Sequence, residues 1–346
     1  MSANTADAAA ADWAKARSFH HSRYPLERIA AERRESVSVC VPARECAGTV
    51  GEIVATLVTL REAGAIDEVV VVDAASGDGT AAVAERAGAT VLQEAELLPS
   101  YGPVLGKGDA MWRALPALAG ELVCFLDADT ERFPAHFVTG LLGPLVCEPE
   151  ASEVAFVKAF YRRPLGEGED DGGRVNNLMA RPALAILYPE LAGVRQPLAG
   201  EVAADRSLLE TLPFATGYGV EIGMLIDAWR RVGLDGMAQV DLDEHRHHHQ
   251  PLSALAPMAR TVLATVASRL ELDECLEPWR ARFGVEEDDG DEDEGEEGED
   301  GGEIEQGGEG ERGDARDEDG ERAAPRDPAP PDRPPLTTLG LARSGR

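Results

Sequence analysis

Three short runs constrain this chain more than any other feature. SVSVCVPA (36–43), EVVVVD (68–73) and LVCFLDAD (122–129) are apolar almost throughout, and each gives way to proline, turn residues or carboxylates. A strand with one wet face alternates apolar and polar side chains, whereas an unbroken apolar strand is buried on both faces. Segments at helical spacing separate them: Val50, Ile53, Val54, Leu57 and Leu60 closed by Gly64, then residues 81–87, then GKGDAMWRALPAL. TVLQE (90–94) reads as a further short strand. The pattern predicts an α/β fold with a mostly parallel central sheet flanked by helices. Ligands of such sheets bind beyond the carboxyl ends of the strands, where Pro42, Ala43, Asp73, Asp127 and Asp129 would gather.

Asp127 and Asp129 flank Ala128 at the end of a strand. Burying an unpartnered charge is costly, so these carboxylates belong at the strand's end, facing something positive. Three uses fit such a pair. They can cap the next helix, one can carry a phosphoryl group, or both can hold a divalent cation that grips a diphosphate. The Thr and Lys motifs that the second use requires are not found in order. Three features point to the third. Lys107, between Gly106 and Gly108 and opening a helix, can reach a diphosphate while backbone N–H groups assist. Asp73 can accept hydrogen bonds from a ribose or a base. HRHHH (245–249) holds four of the seven histidines, and neutral imidazole is a common metal ligand. Each has a plainer use: a solvated lysine, a residue that starts a turn, an inert surface cluster.

The charge narrows the class of partner. The chain has 64 acidic and 33 basic residues, a net charge of −31. Residues 286–346 hold 23 of the acidic and 7 of the basic residues, but the remainder, 41 against 26, is acidic too. A nucleic-acid binder needs the opposite sign to displace counterions from phosphates. Only Lys15, Lys107 and Lys158 are lysines, against 30 arginines. Five cysteines, an odd number without a CxxC pair, read as free thiols in a reducing compartment. No stretch has the order of a signal peptide or the length of a bilayer span. The expectation is a soluble cytoplasmic protein that binds neither nucleic acid nor membrane.

The middle of the chain is less regular. GEGEDDGGRVNNL (166–178) is a polar, glycine-rich loop leading into an apolar helix, and PFATGYG precedes a helix over 220–232. Another helix, with Pro257 inside it, follows the histidine cluster. From residue 286 the acidic, then proline-rich sequence offers too little apolar surface to offset its ordering entropy, so a disordered tail is expected there.

VCVPAREC, VVVVDAASGDGT, GKGDAMWRAL, FLDADTERF, RQPLAGEVAADRSLLETLPFATGYGVEIGMLID and AQVDLDEHRHHHQ together resemble the actinobacterial glucosyl-3-phosphoglycerate synthases of glycosyltransferase family 81. The likeness covers about residues 36–252. The Pro-Ala and Asp-X-Asp elements are common to many transferases of the GT-A fold; QPLAGE and GYGVEIG are far more specific. The resemblance implies a GT-A nucleotide-sugar-binding fold and retaining transfer of glucose from UDP-glucose to 3-phosphoglycerate, with Mg²⁺ or Mn²⁺, in a homodimer. It implies that Pro42, Ala43, Arg44, Glu45, Asp73, Ala74, Lys107, Asp127, Ala128 and Asp129 line the nucleotide-sugar site. It assigns the metal to Asp129 and His247, catalysis to Glu221, Asp129 and Lys107, and contact with the sugar to Glu221. Gly173, Arg174 and Asn176 would receive the acceptor, with His245 and His249 also at the substrates. Arg174 has the fork geometry suited to a phosphate or carboxylate. The chain departs from the family at Arg44, Glu45, Cys46, Ala74, Asn176 and His245. The implied organisation is an N-terminal helical or extended arm (1–35), a nucleotide-sugar half (36–165), an acceptor half with C-terminal helices (166–285) and the tail (286–346).

Overall fold

A computed structural model describes residues 3–148, 153–164, 172–246, 252–270 and 332–342. Eight strands form one sheet: β1 (Ser18–His20), β2 (Val37–Ala43), β3 (Glu68–Asp73), β4 (Thr90–Gln93), β5 (Leu122–Phe125), β6 (Phe156–Arg162), β7 (Val202–Asp205) and β8 (Met237–Glu244). Their order is β1-β8-β6-β7-β5-β2-β3-β4. Neighbours are parallel except where β7 runs antiparallel to β5 and β6. The helices are α1 (Ala3–Ala16), α2 (Leu26–Glu32), α3 (Val50–Glu62), α4 (Thr80–Ala87), α5 (Lys107–Ala114), α6 (His136–Val146), α7 (Arg181–Leu187), α8 (Arg206–Leu209), α9 (Val220–Val232) and α10 (Leu252–Ser268). A π-helical turn, Asn176–Ala180, runs into α7.

The unbroken apolar runs are explained by two cores, one on each face. Val69 and Val71 of β3 belong to one core together with Ile53 and Leu57 of α3 and, farther along the sheet, Phe137 and Leu141 of α6. Val70 and Val72, pointing the other way, belong to a second core that also holds Met111 of α5, Leu225 of α9 and Val266 of α10. A charged residue at any of these β3 positions would lie in a core, so in β3 the carboxylates stand only at the two ends, Glu68 and Asp73.

The sequence expectations need two corrections. Residues 3–35 are helical in part, as expected, but they also join the body of the fold. β1 extends the sheet beside β8, and the Trp13 indole N–H of α1 donates to the Leu234 carbonyl at 2.8 Å. The tail is not structureless throughout. Residues 332–342 return to the body, where Leu336 is fully buried in the second core. The average composition of 286–346 hides this short segment, whose apolar anchors are only Leu336, Leu339 and Leu341. Residues 271–331 lie outside the described part.

Candidate active site

Because β2, β3 and β5 are parallel neighbours, their carboxyl ends meet on one edge of the sheet. Ala43 is in register with Asp73, and Asp127 follows two residues after β5 ends. The loops beyond β2 and β3 are stitched together: the Ala74 N–H donates to the Ala43 carbonyl at 2.9 Å, the Glu45 N–H to Ser76 Oγ at 2.9 Å, and the Gly77 N–H to Glu45 Oε1 at 2.8 Å. Pro42, Ala43, Arg44, Glu45, Asp73 and Ala74 therefore share one wall, in which Arg44 is exposed. Asp73 is buried, and its Oδ2 accepts from the Ser76 N–H and from Gln93 Nε2. Its Oδ1 is buried without a hydrogen-bond partner among the described residues.

Lys107 joins this wall to the second core. It is the first residue of α5, and its Nζ lies 2.5 Å from Asp127 Oδ1 and 2.8 Å from Glu221 Oε1. Glu221 sits in the first turn of α9, where the helix dipole favours a negative charge. Two helix N-termini thus converge on one ammonium group. The approach is close enough that a Cβ on Gly108 would fall 1.9 Å from the Ala215 carbonyl, so only glycine fits beside Lys107. Burial opposes the charge on Lys107, but Asp127 and Glu221 outweigh it and hold its pKa well above that of an ordinary lysine.

The carboxyl group of Asp129 opens to solvent. No hydrogen bond or ion pair engages it among the described residues, although protein atoms surround it closely. Partial desolvation, then the neighbouring Asp127 carboxylate, raise its pKa. A carboxylate left open beside a second carboxylate suits a hard divalent cation, which takes oxygen ligands and relieves their repulsion. Asp129 therefore fits the implied Mg²⁺ or Mn²⁺. His247, its expected partner, and His249 lie outside the described residues. His20, His21 and Asp243, where β1 meets β8, also bring three metal-capable groups together; here each imidazole is hydrogen-bonded to the shared carboxylate.

QPLAGE (196–201) links the strand-end carboxylates to the segment that follows β6. A Cβ on Gly200 would lie 2.2 Å from the Asp127 carboxylate, so a side chain there would displace it. The Ala199 carbonyl accepts from Lys158 Nζ at 2.6 Å, the Leu198 N–H donates to Asn176 Oδ1 at 3.3 Å, and Gln196 Oε1 accepts from the Tyr161 N–H at 2.8 Å. Glu201 is fully buried: its Oε2 accepts from the Tyr161 hydroxyl at 2.6 Å, and its Oε1 faces His245 Nε2 at 3.2 Å. Burial alone would raise the pKa of Glu201. His245, with the Tyr161 hydrogen bond and Arg163, overrides it and holds the carboxyl far below its usual range.

His245 is thereby turned inward. It is buried, lies 3.0 Å from Thr130 Oγ1 and stacks on Tyr161 with 4.6 Å between ring centroids. This placement differs from the expected substrate contact. Gly173, Arg174 and Asn176 lie together on the segment that follows β6; Asn176 is buried, and Gly172 beneath them donates its N–H to the Arg163 carbonyl at 2.9 Å.

Several site residues carry no local sequence signal. Tyr161, Arg163 and Thr130 were not singled out, and Glu201 stood inside QPLAGE without a role. Lys158 did leave a trace, as one of three lysines among 30 arginines. Burial pushes its pKa down to about 8, against the pull of Glu221.

Residues 38–171 match the model of glycosyl transferase family 2. Over 244 residues the chain is 47% identical to the glucosyl-3-phosphoglycerate synthase of Mycolicibacterium smegmatis, a match covering 69% of this chain and 79% of that one. Its structure is similar to the crystal structure of mannosyl-3-phosphoglycerate synthase from Rubrobacter xylanophilus (TM-score 0.71, 47% identity, 76% of this chain and 84% of that one). It is also similar to glucosyl-3-phosphoglycerate synthase from Mycobacterium tuberculosis in complex with Mn²⁺, UDP-glucose and phosphoglyceric acid (TM-score 0.64, 44% identity, 70% of this chain and 82% of that one). With the strand-end carboxylates, Lys107 and Glu221 arranged as described, the chain belongs to the glucosyl-3-phosphoglycerate synthase family of GT-A glycosyltransferases.

Proposed function

We propose that this enzyme transfers glucose from UDP-glucose to 3-phosphoglycerate, giving glucosyl-3-phosphoglycerate. The observation that carries this reading is the single ammonium of Lys107, held between Asp127 and Glu221 at the carboxyl ends of the parallel strands. In the transfer, the bond from the sugar C1 to the diphosphate oxygen breaks, a bond from C1 to the acceptor oxygen forms, the electron pair of the broken bond moves onto UDP as negative charge, and the acceptor's hydroxyl proton passes to the departing phosphate oxygen. A protonated Lys107 at that point stabilises the charge as it develops. Glu221, hydrogen-bonded to the same ammonium, faces the sugar. The unpartnered Oδ1 of Asp73 is suited to an N–H of the donor base. Asp129 and His247 would hold the Mg²⁺ or Mn²⁺, which when bound supplies Lewis-acid neutralisation of the leaving diphosphate.

Arg174, with Gly173 and Asn176, receives the anionic acceptor, which a strongly acidic protein admits only where a local cation offsets its field. His245 acts from within, fixing the strand that leads to His247. The same reading makes the enzyme a cytoplasmic homodimer. The free thiols of Cys40, Cys46, Cys124 and Cys147 agree with a reducing compartment, and light scattering of the purified protein tests the dimer.

A second reading, mannosyl transfer, is favoured by the likeness to the Rubrobacter enzyme. A panel of nucleotide sugars against 3-phosphoglycerate, glycerate and glycerol 3-phosphate, with Mg²⁺, separates the two. UDP-glucose with 3-phosphoglycerate should give the highest kcat/KM. Faster turnover with a mannosyl donor would select the second reading, and nucleotide binding without release from any donor would overturn both.

A further inference from the structure

Residues 332–342 reach the donor site from the far end of the chain, and Arg333 is where they touch it. Arg333 Nε and Nη2 lie 2.7 and 2.8 Å from the two carboxylate oxygens of Asp109, which is fully buried two residues after Lys107. Arg333 Nη1 and Nη2 also donate to the Tyr101 and Pro103 carbonyls, at 2.9 and 3.2 Å, in the loop that leads into Lys107. Asp109 in turn accepts from the Leu105 N–H at 2.8 Å. On its other side, the Arg333 backbone exchanges two hydrogen bonds with Phe214, at 2.8 and 2.9 Å, just before the turn that opens the Glu221 helix. One residue thus grips both walls of the cleft that holds the Lys107–Glu221 pair.

The segment is anchored independently of that contact. Leu336 is buried in the second core, the Trp112 indole N–H donates to the Pro334 carbonyl at 2.8 Å, and Asp332 pairs with Arg269 at 2.6 Å. A bidentate guanidinium–carboxylate pair that also spans two carbonyls fixes direction as well as distance, which a lysine cannot do.

We propose that Arg333 is a positioning residue for the nucleotide-sugar donor. It acts through Asp109 and the Tyr101 and Pro103 carbonyls to hold Lys107 where the diphosphate binds. Asp109 keeps a second guanidinium, that of Arg113 at 3.1 Å, which also donates to the Gly102 and Pro103 carbonyls at 2.8 and 3.2 Å, so losing Arg333 leaves the buried carboxylate paired and removes one of the two guanidinium groups that hold the loop before Lys107. The inference rests on the donor-site reading above, and its test keeps the two separable by measuring binding rather than turnover.

The test is calorimetric titration of UDP with Mg²⁺ into the full-length wild-type protein, Arg333→Ala, Arg333→Lys, Lys107→Ala and the Lys107→Ala/Arg333→Ala double variant, with KM for 3-phosphoglycerate measured alongside. Arg333→Ala should weaken UDP by roughly tenfold to a hundredfold, as expected for lost charge-assisted hydrogen bonds, while KM for 3-phosphoglycerate changes less than about twofold. Arg333→Lys should recover only a small part, and in the Lys107→Ala background Arg333→Ala should cost little more, because residues acting through one another are not additive. Should Arg333→Ala fail to fold, Arg333→Lys carries the same comparison. Wild-type binding with unchanged affinity in a folded Arg333 variant, or losses that simply add to those of Lys107→Ala, would overturn the proposal. Absence of UDP binding by the wild type would instead remove the donor-site reading.

Discussion

Two charged regions lie a few residues apart in this molecule and are built on opposite plans. At the donor edge the groups are left incomplete: Asp127 and Glu221 share one ammonium, Asp129 is open, and one oxygen of Asp73 has no partner. In the interior, Glu201, Tyr161 and His245 are buried together: Glu201 accepts from the Tyr161 hydroxyl and faces His245, and Arg163 donates to the same hydroxyl. Groups at a rim can be completed by solvent or a ligand, whereas a buried charge depends on partners within the fold. The open set fits the ligand of the proposed reading, a diphosphate with its cation. The closed set holds the strands and loops that aim the open one.

The largest effect should come from the open set. Lys107→Ala should lower kcat by about 10²–10³-fold, the usual loss when a preorganised group facing developing charge is removed, with the melting temperature little changed. Steady-state kinetics beside a thermal melt check both halves of this statement. A protein that unfolds but turns over normally while folded would reverse the comparison.

Glu201→Gln probes the closed set and should act on stability first. Leaving the partners of a buried carboxylate without it costs about 1–3 kcal/mol, read by denaturant unfolding at neutral pH. The sign with pH follows from the depressed pKa of Glu201 in the folded state. Its stabilisation is fully present above the unfolded carboxyl pKa of about 4.3 and is lost as the pH falls below it. The gap between wild type and Glu201→Gln should accordingly narrow on acidification; a gap that widens would mean that Glu201 is not ionised in the folded state.

The contrast also explains what could be read from the sequence. The donor edge was legible because a parallel sheet places the residues after each strand on one edge, so Asp73, Asp127 and Asp129 could be put together from strand pattern alone. Lys107 stood out between two glycines in a chain almost without lysine. The interior network was not legible, since Thr130, Tyr161, Glu201 and His245 come from four separated segments and meet only through the order of β5, β7, β6 and β8. The antiparallel β7 that brings Glu201 between its partners has no mark in the apolar pattern. Arg333 was hidden differently, by a tail whose average charge masked one short anchored segment.

A moderate effect is expected at the acceptor loop. Arg174→Ala should raise KM for 3-phosphoglycerate roughly tenfold to a hundredfold, the worth of one charge-assisted hydrogen bond, and leave UDP-glucose affinity nearly unchanged. Equal losses for both substrates would move Arg174 to the donor edge and blur the division drawn here.

The smallest effect concerns a residue that belongs to neither set. Burial, then the nearby Glu35, raise the Asp205 pKa to about 6, above its unfolded value of about 3.9. The folded state therefore loses stability as the pH rises from about 4 through 6. Asp205→Asn should melt roughly 2–4 °C higher than the wild type at neutral pH, with the advantage fading toward pH 4. Equal melting temperatures at both pH values would show that Asp205 is solvated.

The central claim, that the open carboxylate edge carries glucose from a diphosphate to a small anionic acceptor, is tested most directly by following the sugar carbon. UDP-glucose labelled with ¹³C at C1 is incubated with the protein, Mg²⁺ and 3-phosphoglycerate and observed by NMR. The account predicts that the labelled anomeric signal moves from the diphosphate ester to a glycoside of 3-phosphoglycerate, in step with UDP release, and that Lys107→Ala suppresses both. Release of free labelled glucose instead, or no movement of the label while UDP-glucose remains bound, would contradict it.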